Sequence, residues 1–223
     1  LSRLPLDWFA ATPCPLCRGL QPPQHASGAA CPECRRSLPL PAGALKGNEP
    51  LLWWAAGSYD GELRRLLLGL RQRPEPARMG ALVQVLAEGL PRWRQRPLVV
   101  PVPSWKRQGN PLPALVCRQL VRQLGYRRAD LLERSRPVLG QHHLGRALRL
   151  ANQEGAFRCR RGPRLGEALG RPVLIVDDIL TSGATACSAA RALESLGWQV
   201  VGLLCLARTP RGRSRTGRAP SGP

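Results

Sequence analysis

No apolar run in the 223 residues approaches the ~20 that a membrane-spanning helix requires. Leu1 to Thr12 lacks a basic start followed by an apolar block, so no secretory signal is legible. Acids are scarce, 14 against 34 basic residues, which leaves a formal charge of +20. Lysine is scarcer still: Lys46 and Lys106 stand alone, and every other cation is arginine. Such a charge draws phosphate-bearing partners. An arginine bias alongside 23 Gly and 23 Pro equally suits a GC-rich coding sequence, so composition supports both readings. Histidines number three; His142 and His143 are adjacent, would point in different directions on a helix or strand, and lack metal-ligand spacing. Large apolar residues are few between Cys14 and Pro41, which excludes an independent hydrophobic core there.

That same stretch holds Cys14-Pro15-Leu16-Cys17 and Cys31-Pro32-Glu33-Cys34, two C-x-x-C pairs separated by 13 residues. Each pair forms a knuckle that aims two sulfurs at one point, and two knuckles complete a tetrahedron. The expectation is a structural zinc ion on Cys14, Cys17, Cys31 and Cys34, supplying the folding energy that the missing core cannot. Four thiolates leave no open position, so this zinc would not be catalytic. Two disulfides or a redox pair are the alternatives; neither an oxidising context nor a βαβ setting supports them. Cys117, Cys159, Cys187 and Cys205 are scattered through apolar or helical stretches and read as packing residues.

With 43% hydrophobic residues, the remainder suffices for one mid-sized domain. Its most informative stretch runs from Val173 to Thr185. Four apolar residues, Val173 to Val176, suit a strand buried on both faces. Asp177 and Asp178 follow, then Thr181-Ser182-Gly183-Ala184-Thr185, then an Ala- and Leu-rich helix over 186–196 closed by Gly197. A helix N-terminus offers unpaired N–H groups and a partial positive charge to a phosphate. Small residues let the backbone approach, and hydroxyls add donors. Two carboxylates beside a phosphate suit sugar hydroxyls and a water-bridged magnesium ion. A ribose 5-phosphate carrying pyrophosphate has all these parts. The plainer alternative is a strand–turn–helix corner with an Asp cap, which needs one such residue rather than seven.

The rest of the chain reads as alternating strands and helices. Pro39 to Pro50 is linker-like; Trp53, Trp54 and Tyr59 suit a strand; Asp60 suits the cap of a helix to about Arg71. Helices are expected over about 78–90 and 112–124, the latter stopped by Gly125, and strands over Leu98 to Pro103, Ala129 to Leu132 and Gln199 to Leu206. The segment after Pro103 carries Lys106 and Arg107 where open α/β sheets place ligands, and both could meet a pyrophosphate; a solvated basic loop is the alternative. Gln141, Arg149 and Asn152 are further candidates for reaching a ligand. Arg208 to Pro223 has five arginines and no acid, the composition of a disordered basic tail. The expected division is 1–45 for the zinc-binding module and linker, 46–207 for the α/β domain and 208–223 for the tail.

The strand, acid pair and Thr-Ser-Gly-Ala-Thr run resemble the phosphoribosyl-pyrophosphate (PRPP) motif of type I phosphoribosyltransferases. Taken with the four cysteines, Tyr59-Asp60-Gly61, Pro101-Val102-Pro103 and its basic loop, the order resembles the ComF family, phosphoribosyltransferase-like proteins linked to DNA uptake in natural transformation. The resemblance implies an α/β type I phosphoribosyltransferase-like parallel sheet flanked by helices, with a small N-terminal zinc-ribbon-like module. It implies ribose contacts for Asp177 and Asp178, 5-phosphate contacts for Thr181 to Thr185, a magnesium ion bound with PRPP, and a cytoplasmic protein that handles single-stranded DNA or meets DNA-uptake machinery. The alternative is a working phosphoribosyltransferase with an unidentified acceptor. Two departures stand out. Where many members carry Arg-Gly-Phe-Asn-Gln, this chain reads Arg107-Gln108-Gly109-Asn110-Pro111, and position 71 is Arg where Lys is common.

Overall fold

A computed structural model of the chain describes residues 12–22, 27–104, 109–135, 155–162 and 171–210. The elements in order are β1 (Thr12–Pro13), β2 (Leu20–Gln21), α1 (Pro32–Ser37), β3 (Leu45–Gly47), β4 (Trp53–Ser58), α2 (Gly61–Gln72), α3 (Pro76–Gly89), β5 (Leu98–Pro101), α4 (Leu112–Leu124), β6 (Arg127–Arg128), β7 (Leu132–Arg134), β8 (Phe157–Cys159), β9 (Pro172–Val176), β10 (Ile179–Leu180), α5 (Ala184–Glu194) and β11 (Gln199–Arg208).

The central sheet runs β3-β4-β11-β9-β5-β6, with β10 also paired to β11. All its pairings are parallel except β3 with β4. All five residues of β9 are buried, as are all four of β5, because helices cover both faces of the sheet. One core holds Leu63, Leu67 and Leu82 with Val116 and Leu174; the other holds Val100, Ile175, Ala189, Leu193 and Trp198. From β5 the chain moves outward to β6; from β9 it moves the opposite way to β11. The strand order therefore reverses between β5 and β9, and the C-terminal ends of those two strands border a crevice.

Several local expectations shift. Asp60 precedes α2 but makes no side-chain cap; its carboxylate accepts from Ser58 Oγ at 2.8 Å instead. The single strand expected over 129–132 is two short ones, β6 and β7, on either side of a turn in which Arg128 pairs with Asp130 at 2.7 Å. The linker-like stretch contributes β3, whose hydrogen bonds come from β4 rather than from any apolar pattern of its own. Arg208, grouped with the tail by composition, is the last residue of β11. Gly125 closes α4 with φ 64°, the left-handed stop that its position predicts. The ribbon β1–β2 and α1 pack onto the larger core through Leu16, Ala30, Leu38 and Leu40, and Arg35 pairs with Glu88 of α3. No described helix is long and apolar enough to cross a membrane.

Candidate functional site

A cavity of about 600 Å³ opens in the crevice between β5 and β9. Its floor is Asp177, Asp178 and Ile179, which continue from β9. Val102, Pro103 and Ser104 from the end of β5 form one wall, and Arg64 and Arg71 of α2 form another. Thr181 and Thr185 stand at the start of α5 and Arg134 at the end of β7.

The two acids sit in different surroundings. Asp178 is buried, and its Oδ2 accepts from Arg71 Nε at 2.7 Å, from Arg71 Nη2 and from Asn110 Nδ2 at 2.6 Å. Its Oδ1 accepts from the Ile179 N–H at 2.8 Å. Both oxygens are engaged. Asp177 accepts through Oδ1 from the Asp178 N–H at 2.9 Å, and its other oxygen has no hydrogen-bond partner among the described residues. Burial pushes the Asp177 carboxyl up to about 8, the neighbouring Asp178 charge adds to the rise, and Arg134 opposes it. Burial also lowers Arg134, whose guanidinium lies 4.6 Å over the Phe157 ring and donates to the Pro103 carbonyl at 3.1 Å.

Beyond the acids the backbone turns into α5. Gly183 takes φ 82°, a left-handed conformation, and a side chain there would put Cβ 2.2 Å from Cγ of Pro50. Ser182 Oγ accepts from the Ala184 N–H at 3.4 Å. Among the described residues the N–H groups of Gly183 and Thr185 have no partner, as the first turn of a helix leaves them. Arg208 Nη1 donates to the Leu180 carbonyl at 3.0 Å and to the Thr181 carbonyl, so the oxygens of this turn are drawn away from its N–H groups. The arrangement presents peptide donors and a positive helix end to an anion, with the Asp177 carboxyl beside it.

Asp177, Asp178, Thr181 and Thr185 line the cavity, and Ser182, Gly183 and Ala184 lie in the turn between Thr181 and Thr185 without lining it. Lys106, Arg107, Gln141, Arg149 and Asn152 lie outside the described residues. Sequence reading had not selected Asn110, Arg71, Arg134 or Arg208 as site residues. Asn110 was detectable: it retains its place in the altered Arg-Gly-Phe-Asn-Gln run, and it links the start of α4 to Asp178 by also accepting from the Leu112 N–H at 3.2 Å. Arg71 meets Asp178 across 107 residues of chain, a pairing no local pattern signals.

The second cluster is the cysteine set. The four sulfurs all lie within 4.8 Å of one another, with Cys14 to Cys34 at 3.8 Å and Cys17 to Cys31 at 3.7 Å. Tetrahedral zinc–sulfur bonds of about 2.3 Å put sulfurs about 3.8 Å apart, so this donor set fits the ion. The knuckles are held by N–H···S contacts of 3.4 Å from Gly19 to Cys17, from Cys31 to Cys14 and from Cys34 to Cys31. Burial alone would raise Cys14, but the backbone donors around it outweigh that and bring it to about 7, toward the thiolate a metal requires.

Three comparisons with known proteins give likenesses to this chain. The phosphoribosyl transferase domain family matches residues 114–218. The "DNA utilization protein YhgH" of Escherichia coli K12 is 34% identical over 116 residues, 50% of this chain and 49% of that protein. An orotate phosphoribosyltransferase of Rhizorhabdus wittichii is 34% identical over 85 residues, 36% of this chain and 42% of that one. The chain spans about half the length of the YhgH relatives it matches. Among solved structures, the adenine phosphoribosyltransferase of Leishmania donovani aligns at 14% identity and a TM-score of 0.40, over 76% of this chain and 90% of that one.

Proposed function

We propose, from the premise that the chain is a ComF-like protein with a type I phosphoribosyltransferase-like fold, that the crevice binds PRPP with magnesium and that the protein acts in the handling of incoming DNA in the cytoplasm. The observation that carries the ligand reading is that Asp177 lines one cavity with Thr181 and Thr185, at the turn into α5 where, among the described residues, the N–H groups of Gly183 and Thr185 have no partner. The 5-phosphate takes the N–H groups and hydroxyls of Thr181 to Thr185. Asp177 would accept from the ribose hydroxyls and help to hold a magnesium ion, which when bound would neutralise pyrophosphate charge. Asp178 has a supporting part: it fixes Arg71 and Asn110 on the cavity wall. Lys106 and Arg107 meet the pyrophosphate from the segment after Pro103. Zinc on Cys14, Cys17, Cys31 and Cys34 is structural.

The DNA reading draws on the relatives' printed name and on the charge of +20. A second reading, a working phosphoribosyltransferase, is favoured by Asp177. A carboxyl near 8 at the sugar can change protonation at working pH, which suits proton transfer to or from an acceptor. Thermal unfolding with PRPP and magnesium tests the first reading. A ligand selective for the native state adds about 2.7 kcal/mol at a hundredfold excess over Kd, and an unshifted Tm would remove the ligand site. Pyrophosphate release with candidate nucleobase acceptors separates binding from transfer.

A further inference from the structure

Two cavities lie at the pole opposite the crevice, where the strands begin. One, of about 680 Å³, is lined by Arg92, Trp93, Arg96 and Tyr126. The other, of about 240 Å³, is lined by Arg127 and Arg171. The pairings of Leu98 with Arg127 and with Val173 set the entries to β6, β5 and β9 side by side. At the ordinary strand spacing, Arg127 and Arg171 flank β5 with backbones on the order of 10 Å apart. Tyr126 and Arg127, consecutive in the chain, line one cavity each, so the cavities adjoin.

Arg92, Arg96, Arg127 and Arg171 have no ion pair among the described residues. Among the described residues, the one acid lining these cavities, Asp130, is taken by Arg128. Helix dipoles supply the competing explanation, because α3, α4 and α5 all end at this pole. Each C-terminus is worth about half a negative charge. Three of them offset fewer than two arginines, so positive charge remains in excess. Trp93 is half-buried, its ring edge-on to Trp54 at 6.2 Å, which fixes an indole among the cations. Uncompensated guanidinium groups around an anchored aromatic are the chemistry of single-stranded nucleic-acid binding: cations follow the phosphates and the ring stacks on a base.

We infer that this pole, from Trp93 to Arg171, is a single-stranded nucleic-acid surface, separate from the crevice. The inference locates the DNA partner of the proposed function and rests on that reading. It is tested by fluorescence anisotropy on the full chain with a labelled dT12 and an abasic 12-mer across a salt series. The exposed triple variant Arg92→Gln, Arg96→Gln, Arg127→Gln should bind dT12 at least about tenfold more weakly and flatten the log–log salt slope by about 2, since each lost phosphate contact removes about 0.7 for a single strand. Trp93→Leu should weaken dT12 by about fivefold or more, the lower end of one stacked base, and leave the abasic strand unchanged. A companion variant with Arg211, Arg213, Arg215 and Arg218 changed to Gln controls for the tail. Unchanged binding by the triple variant, with loss in the tail variant, would overturn the inference and leave the DNA reading standing. No binding of dT12 by the unaltered chain would remove the DNA reading itself.

Discussion

Asp177 and Asp178 share a peptide bond but not an environment. The Asp178 charge is balanced by Arg71 and hydrogen-bonded by Asn110, whereas Asp177 has, among the described residues, one engaged oxygen, and burial with the Asp178 charge raises its carboxyl to about 8. The consequence for stability has a definite sign. An acid whose folded-state value lies above its unfolded value binds more protons when folded. Its contribution is complete below the unfolded value near 4 and is lost as pH rises toward 8. Asp177→Asn keeps the Oδ1 acceptor and cannot ionise. It should raise the Tm of the ligand-free protein at pH 8 by at least about 2 °C, the shift that about 1 kcal/mol produces in a domain of this size, while abolishing any stabilisation by PRPP and magnesium. A lower Tm would mean that the carboxylate is structurally engaged. Asp178→Ala removes the partner of Arg71, which stays partly solvated, and should cost about 2 kcal/mol, read as a lowered denaturant midpoint.

At the scale of an element, the turn between β10 and α5 depends on its neighbours as much as on its own residues. Pro50 lies against Gly183, and Arg208 binds the carbonyls of Leu180 and Thr181. Gly183→Ala combines a positive φ with a collision at Pro50, so it should destabilise by more than the ~1 kcal/mol that the conformation alone costs. Adding Pro50→Gly should recover part of the loss. A double-mutant cycle in urea measures this, and simple additivity would show that the contact carries no energy. The strand, the acid pair and the small-residue run were legible because each follows local rules: continuous apolar residues for a strand covered on both faces, small residues for close backbone approach. The Pro50 contact and the Arg208 brace were not, because they join residues 133 and about 27 positions apart whose only relation is β11 lying between β4 and β9.

For the whole molecule, the cysteine module is coupled to the larger core rather than suspended from it. Leu16, Ala30, Leu38 and Leu40 share the core that contains Leu63 and Leu82, and Arg35 and the Gly43 N–H both bind Glu88 on α3. If zinc closes the cysteine cluster, its removal exposes part of that core. Purified protein should carry one zinc per chain by elemental analysis. Releasing it with a thiol-modifying reagent should lower the Tm by more than about 5 °C, as loss of a few kcal/mol would. Metal release with no change in Tm would mean that the apolar contacts hold the module unaided.

The residue types in order were enough to identify a buried strand running into a small-residue turn and a helix, a four-sulfur cluster and a parallel α/β architecture, because periodicity, small-residue loops and C-x-x-C knuckles are each set by a few neighbouring positions. What distinguished the two acids, paired Arg71 and Asn110 with one of them, turned a supposed tail residue into a brace and gathered arginines at one pole was the packing of the sheet. Those properties depend on which distant side chains share a low-dielectric space, and only the folded chain brings them together.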